Sequence, residues 1–379
     1  MSLSALSLSI CNQGFLIASG LIGLGALIAF HELGHFLMCK LFNISTPSFS
    51  IGFGPRIITK KIGETEFSLS LIPLGGYVEI AGNAEMGQGE QKMASATDKT
   101  SFASKTFCQK ILVMLGGILF NIIFAYAAFT IVLFVGIKNP PPLFGTKLTS
   151  AVEVKAATPI ALQSGDQIVS IDDFQSDNPD ELISTIAKSP DKAVLLNIIR
   201  EGVPVQLEAT ISSKKAGDTS VGYLTGVSFV RENVEPHSFW AALKTGISLT
   251  HQIMSLTIDF FLTLPARIGK NIWAVTDQIA GPIKLIAMVG SSASDGYISF
   301  LILLAIISIN LAVFNLVPLP IVDGGQILTC VIEDVTGRQL PLRIKEIIFI
   351  ATWVFIIALI VLVSFGDIKS LLFSAKTTI

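Results

Sequence analysis

The chain is 379 residues long, 51% of them hydrophobic and 14% charged, whereas a soluble domain is about a quarter charged. That balance excludes an ordinary soluble protein, and a net charge of −2 offers no bulk attraction for nucleic acid as a partner. Four cysteines, Cys11, Cys39, Cys108 and Cys330, stand far apart in or beside apolar runs without a CxxC pair, which reads as reduced, buried small hydrophobes rather than a disulfide framework.

A membrane helix needs about 20 mainly apolar residues. The first such stretch runs over about 15–41. The opening "MSLSALSLSI" lacks the basic start of a cleaved signal peptide, so this run reads as a retained span. Next comes 47–82, alternating and rich in Gly, Thr, Ile and Phe, with turn signals at Gly52, Gly54-Pro55, Gly63 and Gly75-Gly76. Two readings fit it: a cytoplasmic hairpin packed under the helices, or a sheet edge dipping into the membrane and open to an extended peptide. The second span covers about 111–137. Residues 144–232 are the clearly soluble piece, with strand-like "AVLLNII" and "PVQLEATI" and a helix-like "NPDELISTIAKS" for which Asn178 is the candidate cap. The stretch 239–283 is intermittently apolar and carries Lys244, His251, Asp259, Pro265, Arg267 and Lys270, the pattern of an amphipathic or interfacial segment. Spans three and four cover about 298–317 and 347–365. The expected fold is a polytopic α-helical membrane protein of about four transmembrane helices. Its parts are 1–143 (two spans and the β-region), 144–232 (the soluble α+β domain), 233–297 (the interfacial segment) and 298–379 (two spans).

Lysines and arginines concentrate after the first span (Lys40, Arg56, Lys60, Lys61, Lys92, Lys99, Lys105, Lys110) and between the last two (Arg338, Arg343, Lys345). Residues 1–14 have none. The asymmetry puts both loops in the cytoplasm and the soluble domain on the other side.

The first span ends in "HELGH", residues 31–35. On a helix, residues four apart share a face, so His31 and His35 can grip one ion. Neutral imidazole suits zinc, and Glu32, one residue on, can reach a water beside the metal without ligating it. The alternative is a chance match on an ordinary helix, and location weighs against it: ionisable groups in an apolar span are expensive and mark function. A catalytic zinc takes three protein ligands. The third span runs into "NLVPLPIVDGG", where Pro318 and Pro320 break the helix and Gly324-Gly325 permit a tight turn. Asp323 is the third candidate ligand; by itself it also reads as a cap for the helix that follows. Asn315 is a candidate to hold a substrate carbonyl or oxyanion. Asn121, beside Gly116 and Gly117, reads as helix-packing glue. His237 and His251 lack ligand spacing and read as surface residues.

"HELGH" at 31–35, "GFGP" at 52–55, "PLGGYV" at 73–78 and "NLVPLPIVDGG" at 315–325 together resemble the site-2 protease family of intramembrane zinc metalloproteases, in its bacterial RseP-like branch. The resemblance covers essentially the whole chain. It implies that His31, His35 and Asp323 bind zinc, that Glu32 is general base and acid, and that Asn315 and the segment Gly75, Gly76, Tyr77, Val78 handle substrate. "LQSGDQIVSIDD", 162–173, looks like the Gly-Asp turn and strand of a PDZ domain, so a single inserted PDZ-like domain with a possible peptide ligand is expected. The related enzyme of enteric bacteria carries two; there is room here for one. Val322 stands where the family has leucine, and "GGILF" replaces a Gly-Pro pair before Asn121; neither touches a candidate ligand. The implied substrates are transmembrane helices of other proteins, such as an anti-sigma factor or remnant signal peptides, in the bacterial inner membrane with the active site toward the cytoplasmic face. Two other classes compete. A metal or proton transporter is expected to have more spans or inverted repeats. A catalytically silent PDZ-containing receptor is expected to have lost Glu32.

Overall fold

The computed structural model describes residues 3–83, 98–138, 140–144, 148–154, 161–216, 219–270, 279–338 and 340–376. In chain order it forms α1 (Leu3–Leu41), β1 (Ser48–Ile62), β2 (Thr65–Val78) and α2 (Phe107–Val135). There follow β3 (Leu148–Val154), β4 (Gln167–Ile171), β5 (Phe174–Gln175), α3 (Pro179–Ala187), β6 (Ala193–Arg200), β7 (Val203–Thr210), β8 (Ser212–Ala216), β9 (Thr219–Tyr223) and β10 (Val227–Arg231). Five helices close the chain: α4 (Phe239–Lys270), α5 (Pro282–Ser294), α6 (Tyr297–Leu316), α7 (Asp323–Thr336) and α8 (Leu342–Lys376). The two ends of the chain build one compact helical unit, and Leu133–Ser238 build a second.

In the helical unit, apolar side chains such as Ile22, Leu37, Ile131, Val354 and Phe355 point outward. Helices apolar all round are stable where lipid is the solvent. Among the described residues, five stretches are long and apolar enough to cross a membrane by length and composition: Gly14–Leu41, Phe107–Val135, Phe239–Arg267, Tyr297–Leu316 and Arg343–Ser364. That is one more than the four read from sequence. The addition is α4, which lies in the stretch 239–283 expected to be an amphipathic or interfacial segment. Its mean hydropathy, 1.2, is the lowest of the five, because single charges interrupt the run without ending it. α4 lies along α2 and α6. Tyr126 Oη and His251 Nε2 are 3.2 Å apart, Thr257 Oγ1 donates to Asn310 Oδ1 at 2.9 Å, and the Phe261 and Phe314 rings stand 6.2 Å apart. Exposed as expected, His251 is thus paired with α2.

β1 and β2 form an antiparallel hairpin whose pairing doubles back. Ile62 pairs with Thr65 at the tip, while Phe49, Ser50 and Ile51 pair with Val78, Tyr77 and Gly76. Ser48–Ile51 also lie beside Glu66–Leu69, residue by residue. Ser48–Ile51 are therefore flanked on both sides, and Gly76–Val78 have a partner on one side only among the described residues. The base of the hairpin packs on α1 through Phe36, whose ring meets Phe49 at 5.5 Å and Phe67 at 5.6 Å. Farther out, Ile57, Ile58, Ile62, Leu69 and Leu71 are exposed.

The second unit is a sheet in the order β10-β3-β4-β6-β7, with β5 pairing β4 and a separate β8–β9 hairpin. Leu182 and Ile186 of α3 join Val152, Ile168, Ile171, Leu196 and Ile198 in its core. Asn178 caps α3, its side chain accepting from Asp180 N, and Gly165-Asp166 turn into β4. Buried Asp166 takes two hydrogen bonds from Arg200, at 2.8 and 2.7 Å, and one from Gln163 N at 2.8 Å.

Candidate metal centre

α1 carries the two histidines on one face. His31 Nε2 and His35 Nε2 stand 3.2 Å apart, and both residues are 6% exposed. Their close neighbour is α2, which lacks side chains where it crosses α1. A Cβ on Gly34 would lie 2.2 Å from Gly116 O, and a Cβ on Gly117 would lie 2.4 Å from both His31 Cε1 and His35 Nε2. Glycines thus let the backbones meet as small residues do between membrane helices. The His35 ring is tied to α2 at one edge, its Nδ1 donating to Val113 O at 2.9 Å. That bond leaves the Nε2 lone pair of a neutral ring facing the site.

Asp323 arrives from the other end of the chain. α6 stops at Leu316, and the Pro318–Pro320 stretch is followed by α7, whose first residue is Asp323. Gly324 and Gly325 allow this turn to fold tightly. A Cβ on either would lie 2.4 Å or less from Val317 O or Leu319 O. Val322 occupies the cap position and offers no side-chain hydrogen bond. The Asp323 carboxylate instead faces the histidines, with Oδ2 at 3.3 Å from His31 Nε2 and Oδ1 at 3.4 Å from His35 Nε2. Its buried Oδ2 makes no hydrogen bond. These three groups offer ligand atoms within 4.8 Å of one another, the arrangement of a metal-ion site.

They line a cavity of about 320 Å³ together with Ile28, Glu32, Val78, Ile80, Leu311, Asn315, Ile321, Val322 and Gln326. Asn315 is buried, with Nδ2 at 3.4 Å from His31 Nε2. Gly76 approaches Glu32, where a Cβ would lie 3.6 Å from Glu32 Cγ. Gly75 has φ +113° and faces the Phe53 ring, while Tyr77 hydrogen-bonds Arg56. Of the expected substrate segment, Val78 lines the cavity itself. Two residues enter that sequence reasoning placed elsewhere or passed over. Asn121, read as packing glue, is fully buried with Nδ2 at 3.1 Å from His31 Nδ1. Gln326, one turn after Asp323, accepts a hydrogen bond from Asn83 at 3.1 Å. The spacing held a signal for Asn121, four residues after Gly117 and so on the same helix face.

Buried histidines, a carboxylate and a glutamate thus line one cavity among helices apolar enough to cross a membrane. The sequence profile of peptidase family M50 matches residues 19–359. The chain is similar to a Clostridium perfringens protein named as a zinc metalloprotease, 30% identical over 359 residues that cover 93% of this chain and 98% of that one. It is similar to ARASP2, named as a chloroplastic membrane metalloprotease of Arabidopsis thaliana, 30% identical over 85% of this chain and 73% of that one. It is also similar to the zinc metalloprotease RasP of Bacillus licheniformis, 26% identical over 92% and 97%. The chain belongs to peptidase family M50, the site-2 protease family, and is a zinc-dependent metalloendopeptidase with several membrane-spanning helices.

Proposed function

We propose that His31, His35 and Asp323 hold the zinc, that Glu32 is the general base and acid, and that the enzyme cleaves transmembrane segments of other membrane proteins. The observation that carries this reading is the convergence of these four residues in one cavity inside the helical unit. The donor set fits. Two imidazole nitrogens and a carboxylate oxygen are zinc ligands, and tetrahedral ligands at about 2.0–2.1 Å stand about 3.3–3.4 Å apart. The separations here are 3.2, 3.3 and 3.4 Å. The unpartnered Asp323 Oδ2 is an acceptor awaiting a cation.

A zinc ion there supplies Lewis acidity toward water and the scissile carbonyl. The chain's own groups do the rest. Glu32 takes the proton of the attacking water and returns it to the leaving amine. Asn315 donates to the carbonyl oxygen as charge builds on it. A helical peptide bond must unwind before attack. The open side of Gly76–Val78 offers backbone hydrogen bonds to the unwound segment as an added strand, which places its carbonyl beside Glu32. Segment 144–232 acts as a PDZ-like domain with a peptide ligand of its own, supported by the Gly165-Asp166 turn into β4 and the α3 cap. The lysine-rich loops put the metal centre toward the cytoplasmic face of the bacterial inner membrane and the PDZ-like domain in the periplasm.

The purified enzyme in lipid is expected to cut a labelled single-span substrate within its apolar stretch and to lose this activity reversibly with a chelator. Cuts confined to soluble flanks, with the span intact, would contradict the substrate class.

A further inference from the structure

The two candidate histidine ligands are oriented by different means. His35 Nδ1 is held by a backbone carbonyl, Val113 O at 2.9 Å, which dictates one tautomer. His31 Nδ1 meets a carboxamide, Asn121, at 3.1 Å. A carboxamide can donate from nitrogen or accept at oxygen, so it serves either tautomer. With Nδ2 toward the ring, the ring accepts at Nδ1 and carries its proton on Nε2, aimed at Asp323. With Oδ1 toward the ring, Nδ1–H donates and Nε2 presents its lone pair to Asp323 and His35.

Resting on the zinc assignment above, we propose that Asn121 is a positioning residue whose carboxamide oxygen accepts from His31 Nδ1–H and fixes the tautomer that can ligate zinc. Asn121 is fully buried, and its Oδ1 has no hydrogen-bond partner with the amide turned the other way. Exchanging the two ends moves the unpartnered position to nitrogen, so the gain does not lie in the number of bonds. It lies in freeing Nε2, which a bound cation repays. Carboxylates and carbonyls do this for metal-bound histidines generally, and losing them weakens metal binding about 10–100-fold. The Gly117 carbonyl approaches His31 from the same helix and is the competing acceptor. α2 itself is tied down separately, since Ser308 Oγ on α6 donates to the backbone oxygen of Asn121 at 3.0 Å and needs no Asn side chain.

The test is the zinc dissociation constant of the full chain in detergent, read by chelator competition, for wild type, Asn121→Leu and Asn121→Asp. The Asp variant keeps an oxygen acceptor of the same reach. The expected result is a 10–100-fold loss for Leu and a change within about threefold for Asp. Should the Leu variant fail to fold, Asn121→Ala takes its place with the same reading. Equal affinity in wild type and Leu (or Ala) would assign His31 to the Gly117 carbonyl and overturn the proposal. Equal losses in Asp and in Leu (or Ala) would make Asn121 a packing residue and overturn it as well. Failure of the wild type itself to bind zinc would overturn the metal assignment instead, which keeps the two apart.

Discussion

At the scale of single residues, the site depends as much on an absent side chain as on those present. Gly117 faces both histidine rings, and the Cβ of an alanine would lie 2.4 Å from His31 Cε1 and His35 Nε2. Contacts that short require the rings or the backbone of α2 to shift. Gly117→Ala is therefore expected to lower zinc occupancy at least tenfold in a competition measurement, about 1.4 kcal/mol; unchanged occupancy would show that α2 can back away. Asp323→Ala removes one of the three proposed ligands and is expected to leave the protein without zinc after purification, read by elemental analysis. The histidines and Glu32 were legible in the sequence because helical period and apolar context speak to them locally, whereas Asp323 by itself also read as a cap and stood out only beside the histidines. Asn121 was legible only as a polar residue in an apolar helix. Its partner is set by how α2 crosses α1, which no local pattern encodes.

At the scale of elements, the two ends of the hairpin differ in their surroundings. Its base packs on α1 through Phe36, while its outer arms expose isoleucines and leucines. Which of its backbone positions stays unpaired depends on the doubled-back register, and alternation alone does not determine that. Gly75 sets the bend before Gly76–Val78, at φ +113° and with a built Cβ 2.0 Å from Phe53 Cε2. Gly75→Val is expected to shift that strand and lower cleavage at least tenfold while leaving zinc bound. Zinc loss in this variant would mean the strand supports the metal site instead. α4 was not legible as an apolar span because scattered charges blur the hydrophobic period on which the reading rests.

In the second unit, the hydrogen bonds of the Arg200 guanidinium, reinforced by Gln163 N–H, hold the Asp166 carboxyl below its usual range. A depressed folded-state pKa contributes stability above the unfolded value near 3.9, and that contribution fades as pH falls through the folded value. Protease resistance of 144–232 is expected to be constant near neutrality and to decline below about pH 4. Asp166→Asn is expected to be weaker at neutral pH and to lack that acid step. Arg200→Met, which leaves the carboxylate buried with one donor, is expected to lower the stability of this unit at neutral pH, read as faster proteolysis.

At the scale of the whole molecule, composition announced a membrane protein and the motif order announced its family. Among the described residues five helices are long and apolar enough to span, against the four read from sequence, because α4 sits at the margin of hydropathy. Sidedness has its own test. Cys108, read from sequence as buried, is instead exposed at the start of α2, directly after the lysine-rich loop. As the sole cysteine, with the other three replaced by serine, it is expected to react with an impermeant maleimide from the cytoplasmic side only. Labelling from the opposite side would invert the topology.

The central claim is that Glu32 moves the proton in a zinc-dependent cut within a membrane helix. Cleavage of a single-span substrate and zinc content, measured together for wild type and Glu32→Gln, test it most directly. The expected result is cleavage reduced by about 10²–10⁴-fold with zinc content unchanged. Cleavage that persists at the wild-type rate with zinc bound would contradict it.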